Sequence, residues 1–222
     1  MSIEDYNSMF ISQILEECIK DTENLSIQEA ENIQEAENLV NKGTGAGGSN
    51  TNKNGLPYEE LTELKSEYEI IFSAKYYDTI KFINSDKKLK ATKQSRLFRC
   101  MEDKINSKVE KAHGCKNPDE CFIDEDKKRI FIIEKKFQQV SGSVCEKIQT
   151  PDFKVWQYSR TFPEYKIIYI YCLSDWFKDN CKAELEYLKF KKIPVFWGSD
   201  NDYKNKIVKY ILDYQTENNI IV

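Results

Sequence analysis

The chain has 222 residues, of which 40% are hydrophobic and 32% charged, and its formal net charge is −4. This length allows one domain with a sizeable core, and no apolar run approaches the roughly 20 residues that a membrane-spanning helix needs. The acidic start, 1–5, lacks the basic and apolar layout of a secretion signal, so we expect a cytoplasmic protein without a membrane partner.

The first 42 residues are predicted to form an acidic helical segment, which would serve as a dimerisation or packing arm. Apolar residues recur at helical spacing over 3–18, and a duplicated hexapeptide follows over 27–38. The next segment, 43–56, is rich in Gly and Asn and is predicted to be a hinge loop. It has the glycine spacing of a phosphate-binding loop, but Ser49-Asn50 stands where that motif requires Lys and then Ser or Thr.

The remaining body, 57–222, is predicted to form one folded domain in which strands alternate with helices. The predicted helices cover 57–70, 88–112, 143–160, 176–191 and 203–214. The predicted strands cover 75–83, 121–123, 129–137, 165–173 and 193–197, the last at an edge because it contains Pro194. This order indicates an α/β or mixed α+β fold, with a central mixed β-sheet flanked by helices on both faces.

Charge is unevenly distributed along the chain. Residues 1–40 carry ten acids and one base, whereas the other 182 residues carry 32 bases and 27 acids. The body is therefore mildly basic, which is compatible with a nucleic-acid partner. Its basic residues are densest over 87–116, a stretch that fits either phosphate contacts or a solvated helix face. The candidate DNA contacts are Lys93, Arg96, Arg99 and Lys147.

The cysteines and the histidine give little support to other chemistries. Seven scattered cysteines form no CxxC pair, so we predict free thiols. The one histidine, His113, lies in none of the motifs of histidine-based nucleases, and no Gly-x-Ser-x-Gly sequence accompanies it. A zinc site would have to use ligands at spacings that match no familiar motif: Cys100, His113, Cys115 and Cys121.

The apolar strand predicted over 129–137 ends in two charged residues. Glu134 and Lys136 point to the same side of this strand because strand side chains alternate. Burying charge at the rim of a sheet is costly unless a metal or a partner compensates. Asp119 can be brought alongside by the turn at 124–128. Two carboxylates and a lysine that converge in this way indicate a divalent-metal site for hydrolysis.

Pro118-Asp119 followed by Glu134-Lys135-Lys136 resembles the metal-binding core of the PD-(D/E)xK nuclease superfamily, and within it the type II restriction endonucleases. The resemblance covers about residues 55–200, by the order of elements rather than by residue identity. It implies that Asp119, Glu134 and the Lys135 carbonyl hold Mg²⁺, since a hard cation prefers oxygen ligands. Lys136 would orient the attacking water and stabilise the charge of the transition state. Gln138 and Glu59 are auxiliary candidates.

A second match to the same pattern uses Asp152, Glu164 and Lys166. Glu164 precedes the strand predicted over 165–173, whereas Asp152 lies within a predicted helix, so these residues need not meet. Glu134 and Lys136 lie where a strand ends, with Asp119 across a hairpin. The first match is therefore preferred.

The resemblance implies a type II restriction endonuclease with a catalytic domain over 57–222. Such an enzyme hydrolyses double-stranded DNA sequence-specifically with Mg²⁺ and leaves a 5′-phosphate and a 3′-hydroxyl. We expect a homodimer, because two strands must be cut and each chain carries one site. Two alternatives stay open: a repair or recombination nuclease on the same core, and a non-catalytic interaction module whose acidic N-terminal helices recruit a partner.

Overall fold

The computed structural model describes residues 57–139 and 144–215, so the predicted arm at 1–42 and hinge at 43–56 lie outside the described residues. A seven-stranded sheet runs through the described part, with its strands in sequence order. The strands are β1 (Tyr68–Ser73), β2 (Asp78–Phe82), β3 (Lys88–Thr92), β4 (Glu120–Asp124), β5 (Arg129–Lys136), β6 (Lys166–Leu173) and β7 (Val195–Trp197). Strands β1 to β5 form an antiparallel meander, and β5, β6 and β7 are parallel.

The chain opens this region with a helical turn over 57–61 and a 3-10 helix, Leu64–Glu67. The helices that follow are α1 (Arg96–Ile105), α2 (Val144–Ile148), α3 (Pro151–Thr161), α4 (Trp176–Asn180), α5 (Lys182–Phe190) and α6 (Tyr203–Asp213). The predicted mixed sheet with helices on both faces is confirmed. Among the described residues, no helix is both long and apolar enough to cross a membrane.

Strands β5 and β6 form the centre of the core and are buried on both faces. Such strands are apolar almost throughout because helices cover both sides of a parallel pair. On one face, Ile130 and Ile132 pack in a cluster that includes residues of α1, α3, α4 and α5. On the other, Phe131 and Ile133 pack with residues of the first helical turn, the 3-10 helix and α6. We call these two sides the α3 face and the α6 face.

The helix predicted over 57–70 is wrong beyond residue 61. Tyr68, Ile70 and Phe72 are aromatic or β-branched, as strand residues tend to be, and they belong to β1, which pairs with β2. The strand predicted over 75–83 is found as β2, which begins only at Asp78. Pro57 and the glutamates that follow it are typical of a helix start, and they favoured a longer helix than the turn that forms.

The basic helix predicted over 88–112 is also wrong. Its first part is β3, where buried Leu89 and Ala91 alternate with lysines between β2 and β4. Its second part is α1, which ends at Asn106 in a left-handed conformation, φ 49°. Gly114 lies in the loop after that helix, at φ +74°, and not at a helix end.

Two long predicted helices are each divided. The helix predicted over 143–160 becomes α2 and α3, with Pro151 at the start of α3, and the helix predicted over 176–191 becomes α4 and α5, separated at Cys181. Cys145 and Cys181 form a disulfide, so the prediction of free thiols is wrong for this pair. A sequence separation of 36 residues gave no local signal of the bond. Within the described residues, the other cysteines are buried free thiols.

The remaining elements agree with the prediction. The hairpin of β4 and β5, the long strand β6, the short edge strand β7 and the last helix α6 all lie within two residues of the expected bounds. The hairpin and β6 are the elements on which the candidate site is built.

Candidate active site

The β4–β5 hairpin brings the two carboxylates of the predicted site to the same end of the sheet. Glu120 lies opposite Ile133 in the antiparallel register, and one further step along this register places Asp119 across from Glu134. Glu134 and Lys136 both project on the α3 face, because residues two apart in a strand share a side.

The groups converge on the ammonium of Lys136. Its Nζ lies 2.6 Å from Glu134 Oε1 and 3.8 Å from Asp119 Oδ2, and it donates a hydrogen bond of 3.1 Å to the Lys135 carbonyl. Asp119 Oδ2 also accepts the backbone N–H of Lys135 at 2.7 Å. Three oxygens, two from carboxylates and one from the backbone, therefore surround one cationic group.

The pKa values of the two carboxyl groups are shifted in opposite directions. Burial raises the pKa of Glu134, but the ammonium groups of Lys136 and Lys154 outweigh it and lower this pKa to about 2. Burial also raises the pKa of Asp119, and there the nearby lysines do not fully offset it, so the pKa stays above its usual value. Burial lowers the pKa of Lys136, yet the carboxylates of Glu134 and Asp119 prevail and raise it. Glu134 and Lys136 are thus held as a charged pair.

Lys154 is a member of this cluster that the sequence analysis missed. It projects from α3, and its Nζ donates to Glu134 Oε1 at 3.0 Å, with 18% of its side chain exposed. A signal was present in the sequence: Tyr158 is an aromatic residue four positions later, so Lys154 shares the helix face that packs on the sheet. A lysine on the inward face of a helix that crosses between parallel strands is unusual.

Two tyrosines of β6 complete the surroundings of Glu134. In the parallel register Tyr171 pairs with Glu134, and Tyr169 pairs with Ile132. Burial and the charge of Glu134 raise the pKa of both hydroxyls. The Lys154 ammonium lies 5.5 Å from the centre of the Tyr169 ring. Glu134 is therefore enclosed by two lysines and two aromatic side chains.

Lys135 contributes to both faces of the sheet. Its backbone carbonyl faces the cluster, whereas its buried side chain points to the α6 face and pairs with Glu120 at 3.0 Å. The same ammonium donates to the Glu59 carbonyl at 2.9 Å, and Glu120 accepts the backbone N–H of Leu64 at 3.2 Å. This ion pair ties the first helical turn to the sheet.

Glu59 is positioned by that tie near the candidate site. Burial and the charge of Asp119 raise the pKa of Glu59, whereas Lys136 and Lys135 act in the opposite direction. Its neighbour Tyr58 packs so closely against Gly198 that a Cβ on this glycine would lie 2.3 Å from the Tyr58 hydroxyl oxygen. The helical turn is thus fixed from two sides, with Glu59 at the rim of the cluster.

Gln138 is engaged through its backbone just beyond β5. Its N–H donates to the Ser174 hydroxyl oxygen at 3.1 Å, and its carbonyl accepts the same hydroxyl at 3.2 Å. These bonds tie the chain that leaves β5 to the chain that leaves β6. They concern the Gln138 backbone rather than the side-chain role suggested for it.

Lys93, Arg96 and Arg99 do not all lie on one helix, as the basic helix predicted over 88–112 would have placed them. Lys93 precedes α1 and pairs with Glu63. On α1, Arg96 donates to the Lys75 carbonyl at 3.3 Å, and Arg99 pairs with Glu102 at 2.9 Å. Lys147 lies on α2, where its carbonyl accepts the hydroxyl of Tyr171, the residue that pairs with Glu134, at 3.4 Å.

The competing match at Asp152 and Glu164 does not assemble. Asp152 lies at the start of α3, where it pairs with Lys191 at 2.7 Å and accepts the Tyr187 hydroxyl at 3.0 Å. Glu164 lies beyond the other end of this helix, about 15 Å away along its axis. Lys166 opens β6 opposite Arg129, at the far end of the strand from the site.

The zinc set of Cys100, His113, Cys115 and Cys121 does not assemble either. In the part of the chain that the structure describes, three potential ligands come together only at Cys145, Cys181 and Glu184. The two cysteines of that group are bonded to each other. The paired carboxylates of the hairpin are therefore the better candidate for chemistry.

Comparison with protein-family models, with curated proteins and with solved structures gives no match for this chain. The geometry of the carboxylate and lysine cluster is accordingly the basis on which a function is assigned.

Proposed function

We propose that this chain is a Mg²⁺-dependent deoxyribonuclease with a PD-(D/E)xK core, of the type II restriction class. One observation carries the proposal: the Glu134 and Asp119 carboxylates and the Lys135 carbonyl converge on a single ammonium at the end of β5. A buried point where three oxygens meet a positive charge is also a point that suits a hard divalent cation.

The donor set fits Mg²⁺. Two carboxylates and one backbone carbonyl are oxygen ligands, and partial coordination by protein leaves room for water and a phosphate oxygen. When bound, the metal supplies Lewis acidity for the phosphate and lowers the pKa of a coordinated water. Asp119, Glu134 and the Lys135 carbonyl would hold it, with the Lys136 ammonium moving toward the substrate.

The lysines of the cluster would act on the phosphodiester and on the attacking water. The oxygen of that water forms a bond to phosphorus and gives up a proton to solvent. The bond from phosphorus to the 3′-oxygen breaks with its electron pair on that oxygen, which takes up a proton, so the products are a 5′-phosphate and a 3′-hydroxyl. Lys136 orients the water and donates to the oxygens on which negative charge develops. Lys154 keeps Glu134 ionised and directed toward the site.

Two copies of the chain would act together on duplex DNA. Each chain contributes one such cluster from its β4–β5 hairpin, and a double-strand break requires two hydrolytic events. The homodimer and the double-stranded substrate are thus part of the same proposal.

Cleavage of a long DNA of known sequence with Mg²⁺ tests the proposal. We expect Asp119→Ala, Glu134→Ala and Lys136→Ala each to lower the cleavage rate at least about a hundredfold, because each removes a charged group that acts only at the reacting centre. DNA binding, measured by gel shift without divalent metal, should persist.

Asp152→Ala and Lys166→Ala are matched controls, since they remove the acid and the lysine of the competing match, and they should cut like the wild type. Full cleavage by Asp119→Ala or Glu134→Ala contradicts the site. Discrete fragments from the wild type indicate a restriction enzyme, whereas a smear indicates the repair or recombination alternative. No Mg²⁺-dependent cleavage of any nucleic acid would contradict the enzyme and favour the interaction module.

A further inference from the structure

Helix α3 presents two aromatic rings to solvent on its outer side. Phe153 is 57% exposed and Trp156 is 54% exposed. The rings are stacked, with centroids 5.7 Å apart and an interplanar angle of 19°. Single exposed apolar residues are ordinary on protein surfaces, but two stacked rings form a continuous apolar stack that a third ring can extend. We call this pair the aromatic step.

The aromatic step belongs to the same helix as Lys154, which contacts Glu134. At 100° per residue, Phe153 and Trp156 project roughly 100° and 160° around the helix from Lys154, so they point away from the sheet. A strand that reaches both the step and the cluster must pass around α3, and an arc of 100° to 160° on a helix 10–12 Å across is roughly 9–17 Å. This corresponds to about three to five nucleotides at the 3.4 Å rise of one stacked strand.

The inner side of α3 is fixed to the loop that leads to Asp119. Gln157 donates to the His113 carbonyl at 2.8 Å, and the Tyr158 hydroxyl donates to the Lys116 carbonyl at 2.9 Å. Both side chains are buried. The helix therefore holds the aromatic step at a defined distance from the catalytic cluster.

A cation accompanies the rings. Arg160 is exposed and lies four residues after Trp156, so the two side chains are neighbours on the helix surface. The one acid of the first turn, Asp152, is already paired with Lys191. Aromatic rings beside an exposed basic residue are typical of single-strand binding sites. The rings stack on bases, and the basic residue attracts the adjoining phosphate.

We propose that the aromatic step stacks on an unpaired nucleobase of the DNA strand whose phosphate lies at the Glu134 cluster. The inference rests on the proposed function. It narrows the substrate to DNA that presents an unpaired base within about five nucleotides of the cut, either extruded from a duplex or at a single-stranded end.

The size of the surface favours a base over a second copy of the chain. An aromatic side chain has roughly 150–250 Å² to bury, so two half-exposed rings offer about 200 Å² in total. A stable interface needs about 800 Å² from each partner. The step is too small to hold a dimer by itself but matches the face of a base.

Binding of a short single strand that carries 2-aminopurine, measured by fluorescence in EDTA, tests the inference without cleavage. We expect the wild type to quench the probe, and Phe153→Ala and Trp156→Ala to bind about 5- to 100-fold more weakly, the usual loss for one stacked base. Trp156→Phe should recover most of the affinity.

Phe72→Ala is the matched control, since Phe72 is 58% exposed but lies on β1, at the far edge of the sheet. Unchanged affinity in Trp156→Ala and Phe153→Ala overturns the inference, as does equal weakening by Phe72→Ala or a wild type that binds no strand. Conversion of a dimer to a monomer by Trp156→Ala, with binding unchanged, would assign the step to a protein interface and overturn it too.

The two proposals can fail separately. If the wild type binds the strand through the step but cuts no DNA with Mg²⁺, the stacking proposal is supported and the nuclease proposal is contradicted. If the wild type cuts DNA and both alanine variants bind the strand normally, the nuclease proposal is supported and the stacking proposal is contradicted.

Discussion

Glu134 carries one negative charge but is paired with two ammonium groups. Lys136 and Lys154 both bond to its Oε1 oxygen, and Asp119 supplies the second negative charge of the cluster. The four side chains together are neutral, so a bound divalent cation would leave the cluster at +2. A phosphodiester that enters the site would then meet a net attraction, which is strong in a buried setting.

Lys135 differs from its neighbours because its charge is balanced on the opposite face of the sheet. Its side chain is almost fully buried against Glu120, with an Nζ to Oε2 distance of 3.0 Å. Removing one member of such a pair leaves an uncompensated buried charge, whereas replacing both by apolar groups is often tolerated. The pair therefore holds the first helical turn to the sheet and is not part of the candidate site.

Lys135→Met is predicted to lower the free energy of unfolding by about 3–5 kcal/mol, because Glu120 would keep a buried charge without its partner. The double variant Lys135→Met with Glu120→Leu should recover most of this loss. Urea denaturation of the two single variants, the double variant and the wild type measures the coupling. Additive losses in the double variant would show that the buried pair is not coupled.

At the level of elements, the site depends on the connection between two parallel strands. The chain leaves β5 at the end that carries the candidate site, passes through α2 and α3, and returns as β6 beside β5. A crossover of this kind must pack its helix on the sheet, which is how Lys154 comes to face Glu134. The Cys145–Cys181 disulfide joins α2, the first part of that connection, to the junction of α4 and α5.

Reduction of this disulfide is predicted to lower the free energy of unfolding by about 3–4 kcal/mol, since it closes a loop of 36 residues. Cys145→Ser should have a similar effect. Thermal unfolding with and without dithiothreitol measures the difference, and Cys145→Ser, which has no bond to reduce, should show no response to the reductant. A wild-type unfolding temperature that is insensitive to dithiothreitol would contradict the contribution of the bond.

For the molecule as a whole, sequence reasoning succeeded where a pattern was local and failed where a long-range contact decided the outcome. The apolar runs of β5 and β6 are buried on both faces and could be read directly. Strands β1 and β3 could not, because Tyr68 and Lys88 belong to strands only through pairing with β2. Lys154 lies on the inward face of α3 by its spacing to Tyr158, but the residue that it meets there, Glu134, is fixed by the tertiary crossover and not by that spacing.

Glu125 connects several elements at the end of the β4–β5 hairpin opposite the site. Its carboxylate pairs with Lys90 of β3 at 3.0 Å and with Lys104 of α1, and it accepts the Tyr165 hydroxyl at 2.6 Å. Burial raises its pKa, but the hydrogen bonds from Lys104, Tyr165 and Lys90 prevail and lower the pKa to about 2. The native state therefore favours the ionised form.

This lowered pKa predicts a loss of stability in acid. Because the folded pKa of Glu125, about 2, lies below the ordinary 4.5, its contribution is complete above pH 4.5 and is lost as the pH falls toward 2. We expect the free energy of unfolding to fall by about 1–2 kcal/mol between pH 5 and pH 2.5. Solvent screening reduces this value, because the Glu125 side chain is 26% exposed. Urea denaturation at several pH values measures it. Glu125→Gln should flatten that part of the profile, whereas the exposed Glu164→Gln should not. An unchanged acid profile in Glu125→Gln would place the pH dependence elsewhere in the chain.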